Sequence, residues 1–389
     1  MYGVVEGFYG KPYSPEMRRA IIRALSGPGG PVYLYAPKDD PHHRVRWREP
    51  CPAGEWEALA AVAGEAAVVG VGFWFGLSPW GFGESDYGVA RRVLGRAAAA
   101  GVAGLCLLYD DIRSGASGGL AEAQIEFTRK ATDGTGLPVM VCPTVYCMEF
   151  TRDDPGALEY LEVWRRTADP DWMLLWTGPD VVSREMSGLE TAEALLGRPP
   201  VIWDNLLADD YCLRRVYLGP LAGRVAPGTP WLLNPSRVFP AALHGVMELR
   251  AAVTGEVLWP PELGPRIPGW NLLRCFHYDP WGPSPEGAAI LADLAEALKG
   301  RGTDGCLDRL DRAREEMEEF CGALAGIMGG WDLYPIARDV ARSLSIWRRA
   351  LGASTPSSRR AVLHYLMHER LPYENPLAAS AAYPSEEHP

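Results

Sequence analysis

Eight short apolar runs, each followed by a stretch of helical character, constrain this chain more than any other feature. They occupy residues 4–9, 32–36, 69–77, 104–109, 139–143, 173–177, 201–203 and 231–234. Hydrophobicity within each run is nearly continuous rather than alternating, which marks parallel strands buried on both faces. A helix capped by Ser14 is predicted to run to about residue 24, and another follows Cys51. Further helices are predicted over residues 87–100, 120–132, 158–166, 189–196, 209–218 and 241–253, several of them ending near Gly or Pro. Eight strands alternating with eight helices over about 250 residues predict an α/β fold of the TIM (β/α)8 barrel type. A doubly wound open sheet is the competitor, but no G-x-G-x-x-G follows the first strand.

Beyond residue 255 the character changes. A Pro/Gly-rich connection over residues 256–283 leads to a helical C-terminal domain at 284–375, with helices predicted over 286–298, 307–328, 335–351 and 357–370. The polar residues 376–389 read as a frayed tail.

The net charge of −11 excludes a nucleic-acid partner, because phosphate contacts need a basic face and the chain has no basic run. No apolar stretch approaches the roughly 18 residues of a membrane span, and the N-terminus has no basic segment leading into an apolar one. The eight cysteines contain no C-x-x-C pair, and Cys106 and Cys142 sit within apolar runs as buried reduced thiols. A cytoplasmic protein without membrane association is expected.

A barrel enzyme carries its catalytic groups just beyond the C-terminal ends of its strands. Polar residues collect there in this sequence. The first run ends in Glu6-Gly7-Phe8-Tyr9-Gly10, and the second is followed by Lys38-Asp39-Asp40 and then His42-His43-Arg44. The fourth ends in Asp110-Asp111 and the fifth in Pro143-Thr144-Val145-Tyr146. The seventh ends in Trp203-Asp204-Asn205 with Asp209-Asp210 beyond, and the eighth ends in Asn234. Two adjacent carboxylates repel, so one of them holds a proton more tightly than the other. A proton donor beside a charged carboxylate is what cleavage of a glycosidic bond asks for. Asp39, Asp40, His42 and His43 could instead be read as metal ligands, but no H-x-H or H-x-x-x-H accompanies them; His364 and His368 lack the Glu of H-E-x-x-H. No metal and no cofactor is expected.

Several segments together resemble glycoside hydrolase family 84, which contains the O-GlcNAcases and related bacterial β-N-acetylglucosaminidases once described as hyaluronidases. They are GVVEGFYGKPYSPEMR (3–18), YLYAPKDDPHHRVRWRE (33–49), LLYDDI (107–112), CPTVYC (142–147), LLWTGPDVVSREM (174–186), VIWDNLLADDY (201–211), LGP (218–220) and LNP (233–235). YDP at 278–280 is a weaker echo. The resemblance implies a TIM barrel and hydrolysis of terminal β-linked N-acetylglucosamine with retention, by attack of the sugar's own acetamido oxygen to give an oxazoline. Such substrate assistance is an exception to the two-carboxylate nucleophile scheme.

By the same resemblance, Asp110 orients the acetamido group and stabilises the oxazoline, while Asp111 is the general acid and then the base. These two roles follow motif position and could be exchanged. Tyr146 contacts the acetamido oxygen, Trp203 walls its methyl, and Gly7 lets the sugar approach the backbone. Lys38, Asn205, Asp210 and Asn234 hold sugar hydroxyls. Three positions depart from the family pattern: Arg113 after D-D-I, Val145 in place of a frequent Glu, and Asp209 where Asn is usual. The substrate expected is a protein or glycan carrying β-linked N-acetylglucosamine, and helical appendages in the family make a homodimer one expected arrangement. The alternatives are a hexosaminidase acting on glycan or cell-wall fragments, a sugar-binding protein without turnover, and a metal-dependent barrel hydrolase.

Overall fold

The strands form wherever the chain can bury both faces. In the computed structural model, which describes residues 1–111, 115–212, 214–256, 259, 264 and 267–370, eight parallel strands close into a barrel in sequence order. They are β1 (Tyr2–Glu6), β2 (Pro31–Tyr35), β3 (Gly72–Leu77), β4 (Gly104–Leu108), β5 (Val139–Cys142), β6 (Met173–Trp176), β7 (Val201–Asp204) and β8 (Trp231–Leu233). Pairing of Val4 with Leu233 and with Tyr33 closes β1 between β8 and β2.

Alternation decides what each residue sees. Val5, Leu34, Trp74, Cys106, Leu108, Met140, Cys142, Leu175, Val201, Trp203 and Leu232 share one buried cluster drawn from all eight strands, the filled barrel interior. Each fully buried side chain of this kind contributes about 1.5–3 kcal/mol.

The flanking helices are α1 (Pro15–Leu25), α2 (Ala53–Val68), α3 (Tyr87–Ala99), α4 (Gly118–Thr132), α5 (Met148–Asp153), α6 (Ala157–Thr167), α7 (Leu189–Leu196) and α8 (Phe239–Thr254). Ser14 caps α1 as predicted, accepting from Met17 N at 3.3 Å, and Ser117 caps α4 through Leu120 N at 3.2 Å. Two boundaries shift. Residues 69–71, read as the start of the third strand, instead end α2 and turn through Gly70 at φ 75°, where an L side chain would be strained. The predicted helix over 209–218 is absent among the described residues, which run there as turns and irregular chain.

The chain divides into two compact units. The first, Met1–Leu206, Leu221–Arg237 and Gly245–Val257, contains the whole barrel. The second takes Leu207–Pro220, Val238–His244 and the described residues that follow. It holds α9 (Trp270–Phe276), α10 (Pro285–Leu298), α11 (Thr303–Ala323), α12 (Gly330–Leu351) and α13 (Pro356–Arg370). Its core joins Val216 and Leu218 to Trp270, Phe320, Leu333, Leu344 and Trp347. No helix among the described residues is long and apolar enough to cross a membrane.

Candidate active site

Side-chain parity carries the barrel interior upward into a polar mouth. Two residues beyond inward-facing Val5, Ala36, Leu108, Trp203 and Leu232 stand Gly7, Lys38, Asp110, Asn205 and Asn234. The strands therefore aim these five positions into the mouth, where hydrogen bonds join Gly7, Asn234 and Asn205 in one set and Lys38 and Asp110 in another.

One side of the mouth is an amide chain. Gly7 N donates to Asn234 Oδ1 at 3.2 Å, Asn234 Nδ2 donates to Asn205 Oδ1 at 2.9 Å, and Trp203 Nε1 donates to the same oxygen at 2.8 Å. Asn205 Nδ2 donates in turn to Val181 O at 2.9 Å. Trp203 is almost fully buried, and its ring lies 5.6 Å from the Lys38 ammonium. Gly7 is also required by this tryptophan: a β-carbon there would fall 2.3 Å from Trp203 Cζ2.

The other side is ionic. Lys38, buried, donates to Asp110 Oδ2 and lies 3.5 Å from Asp111 Oδ2. That Asp111 oxygen also accepts from the Tyr9 hydroxyl at 2.5 Å and faces an Arg44 nitrogen at 3.7 Å. Strict alternation would point Asp110 and Asp111 to opposite faces. Among the described residues, Asp111 is the one non-glycine with positive φ, at 25°. This sparsely populated conformation turns its side chain back to the mouth.

The two carboxylates differ in environment. Burial pushes Asp110 up, and the neighbouring Asp111 charge adds to this, while Lys38 opposes it; the net direction is upward. Burial also pushes Asp111 up, but Lys38, the Tyr9 hydroxyl and Arg44 together outweigh it and the net direction is downward. Burial, then the hydrogen bond to Asp111, push Tyr9 up to about 12. Asp110 Oδ1 is buried and meets no hydrogen-bond donor among the described residues. Tyr146, partly buried, packs edge-on to Phe150 at 5.0 Å. Burial raises its hydroxyl, followed by the charges of Asp110 and Asp111.

Residues of opposite parity brace this mouth from outside. Glu6, fully buried, accepts from Arg18 Nε at 2.8 Å and Nη2 at 2.9 Å, Tyr33 Oη at 2.6 Å and Tyr13 N at 2.9 Å, which pins the loop holding Gly7 and Tyr9. Asp204, fully buried, pairs with both Nε and Nη2 of Arg224 and accepts from Trp231 Nε1 at 3.2 Å. Arg224 also donates to Ser183 O at 2.7 Å and Arg184 O at 3.0 Å, so it ties the loop after β6 to β7.

Of the predicted residues, Gly7, Lys38, Asp110, Asp111, Tyr146, Trp203, Asn205 and Asn234 lie at the mouth of the first unit. Asp210 belongs to the second unit, partly buried in a turn, and Asp209 beside it is fully buried. Val145 is buried, and Arg113 lies outside the described residues. The residues once open to a metal reading serve the loop: Asp40 accepts from Tyr35 Oη at 2.6 Å and His42 N at 2.9 Å, Asp39 accepts from Gly10 N at 2.9 Å, and His43 Nδ1 donates to Gly76 O at 2.9 Å. Sequence reasoning assigned no role to Tyr9 or Arg44. Tyr9 follows Gly7 by two residues, so parity offered a signal; Arg44 sits deep in an irregular loop and offered none.

A family model described as beta-N-acetylglucosaminidase matches residues 2–229. Protein O-GlcNAcase of Mus musculus and its counterpart of Rattus norvegicus are each 34% identical over 265 residues, covering 62% of this chain. The chain spans only 29% of the length of these curated relatives. A solved structure of an O-GlcNAc hydrolase mutant from Thermobaculum terrenum superposes with a TM-score of 0.75 at 20% identity, covering 94% of this chain and 88% of that one, and shares its fold. The family match takes in more than half the chain and every barrel strand but the last, and the chain belongs to the β-N-acetylglucosaminidase family.

Proposed function

We propose that this protein is a retaining exo-β-N-acetylglucosaminidase that hydrolyses terminal β-linked N-acetylglucosamine through an oxazoline intermediate. One observation carries the reading. Two carboxylates converge on one lysine in different environments, and the more buried of them keeps one oxygen without a donor.

In this reading Asp110 Oδ1 accepts the acetamido N–H. That contact turns the acetamido oxygen toward the anomeric carbon and places a negative charge beside the oxazolinium as it forms. Asp111 gives its proton to the leaving oxygen as the C–O bond breaks. It then takes a proton from water, which attacks the anomeric carbon and reopens the oxazoline. Two inversions leave the configuration retained. Trp203 walls the acetamido methyl and Tyr146 donates toward its oxygen. Lys38, Asn205 and Asn234 bond the hydroxyls.

In the free protein Asp111 is held ionised, the opposite of what a general acid needs. Sugar hydroxyls that draw Lys38 away and accept the Tyr9 hydrogen bond in place of Asp111 remove two of its donors, and the sugar excludes water from it. Its proton affinity then rises in the bound state, where the proton is used.

The test is hydrolysis of an aryl β-N-acetylglucosaminide beside the matching β-glucoside. Cleavage of the acetamido sugar alone is expected; equal cleavage of both overturns the acetamido nucleophile.

A further inference from the structure

Trp80 lies on no barrel strand and in none of the polar clusters at the strand ends, yet through Arg44 it is an exposed aromatic tied to Asp111. Its side chain is 36% exposed at the tip of the turn after β3. The backbone of this turn is held from several sides. Trp80 O accepts from Trp47 Nε1 at 3.1 Å and from Arg48 Nη1 at 3.0 Å, while Gly81 O accepts from Arg48 Nη2 at 2.5 Å. Arg48 is itself held by Asp86 at 2.7 Å. Ser78 N donates to His43 O at 2.9 Å at the start of the turn. At its end Phe82 packs on Tyr109, the residue before Asp110, with ring centroids 5.4 Å apart.

The Trp80 ring is also joined to the carboxylates. The Arg44 guanidinium carbon lies 4.9 Å from the Trp80 centroid and 5.3 Å from the Tyr9 centroid, and an Arg44 nitrogen lies 3.7 Å from Asp111 Oδ2. One buried cation thus underpins two exposed rings, Tyr9 being 40% exposed, with cation–π contacts that keep both rings in place. A rigid, partly apolar surface beside a polar site is a recognition surface.

We infer that Trp80 and Tyr9, set on Arg44, form the platform for the aglycone, and that the aglycone they fit is a pyranose ring. This deepens the functional reading above and rests on it: if Asp111 protonates the leaving oxygen, whatever that oxygen belongs to must lie on the Asp111 side, where this platform stands. The C–H-rich face of a β-linked sugar lies flat on an indole. A peptide aglycone offers chiefly backbone amides, for which two ring faces over a cation are poor partners. Trp80 is therefore a specificity-determining residue for a glycan aglycone.

The experiment compares three substrates: methyl β-N-acetylglucosaminide, whose aglycone is too small to reach Trp80, the β-1,4-linked N-acetylglucosamine disaccharide, and a peptide carrying N-acetylglucosamine on serine. Trp80→Ala is expected to lower kcat/KM on the disaccharide about tenfold more than on the methyl glycoside, with Trp80→Phe recovering most of the loss. Equal losses on both would show that Trp80 acts through Arg44 and Asp111 and not by touching the aglycone, which overturns the inference. A larger loss on the glycopeptide, or wild-type protein that cleaves the methyl glycoside but not the disaccharide, overturns the pyranose assignment. Wild-type protein that cleaves none of the three overturns the reading of the site itself, a separate failure.

Discussion

A β-carbon on Gly7 would stand 2.3 Å from Cζ2 and 2.8 Å from Cη2 of Trp203. The first strand and the seventh approach so closely at the barrel mouth that one of them must end in hydrogen where the other presents an indole. The amide chain through Asn205 and Asn234 depends on that indole staying in place, because Trp203 Nε1 is one of its donors.

Gly7→Ala therefore displaces Trp203. Overpacking of this kind costs about 1–3 kcal/mol, which a shift in the denaturant midpoint would register. The larger effect falls on turnover, with kcat/KM reduced on the order of 100-fold because the wall proposed for the acetamido group is misplaced. Wild-type kinetics in this variant would mean that Trp203 does not touch the sugar.

The roles of the paired carboxylates separate by leaving group. If Asp111 is the proton donor as proposed, Asp111→Asn lowers kcat on the methyl glycoside by about 10²–10⁴-fold and much less on an aryl glycoside whose leaving group needs no proton. In the proposed mechanism Asp110→Asn impairs both substrates alike, since the acetamido oxygen displaces either leaving group in the same step. The reverse pattern would exchange the two roles.

Arg44→Leu tests the electrostatics of Asp111 directly. Arg44 and Lys38 hold this carboxyl below its ordinary range. Loss of one cation raises its pKa, so the carboxyl signal of Asp111 titrates at higher pH in the variant when followed by carbon NMR of the free protein. An unchanged titration would show that the 3.7 Å contact is without consequence.

Arg224→Leu leaves Asp204 as a buried carboxylate without its cation. Breaking such a pair costs about 3–5 kcal/mol. Equilibrium unfolding measures it, and restoring a neutral partner set with Asp204→Asn in the same chain should recover part of the loss.

His43 makes stability depend on pH. Burial pushes it down to about 4, with Lys38 and Arg44 adding to that and Asp40 and the Gly76 carbonyl opposing it. The unfolded chain takes up this proton near 6.5 and the folded chain only near 4. The stability His43 confers as a neutral ring is thus complete above about 6.5 and is lost as pH falls toward 4, at up to about 1.4 kcal/mol per pH unit. His43→Asn, which can still donate to Gly76 O, should flatten this part of the curve. An equal slope in both proteins would exclude His43 as its source.

The barrel was legible because continuous apolarity located the strands. Gly7, Lys38, Asp110, Asn205 and Asn234 came from the polar residues that follow those runs and from the family resemblance, and in the structure each stands two residues beyond an inward-facing residue. What was not legible depends on contacts distant in sequence. The segment 209–218 has apolar residues at helical spacing, yet Leu218 N donates to His277 O at 2.7 Å, and Leu218 O accepts from His244 Nε2 at 2.9 Å and Arg274 Nε at 2.8 Å. Those partners take backbone groups a helix would use, and Val216 and Leu218 bury in the core of the second unit. Arg44 likewise owes its place to two rings, 35 residues back at Tyr9 and 36 residues on at Trp80, and no local pattern marks it.

The left-handed backbone of Asp111 decides how this position can be probed. Asparagine enters that region with little cost and glycine with none, whereas alanine does not. An alanine scan would remove the carboxylate and also press the chain at the end of β4 to flip back, carrying Asp110 with it. Lost chemistry and lost shape would then appear as one number. Only the asparagine and glycine replacements keep them apart, so at this residue the most conventional substitution is the least informative.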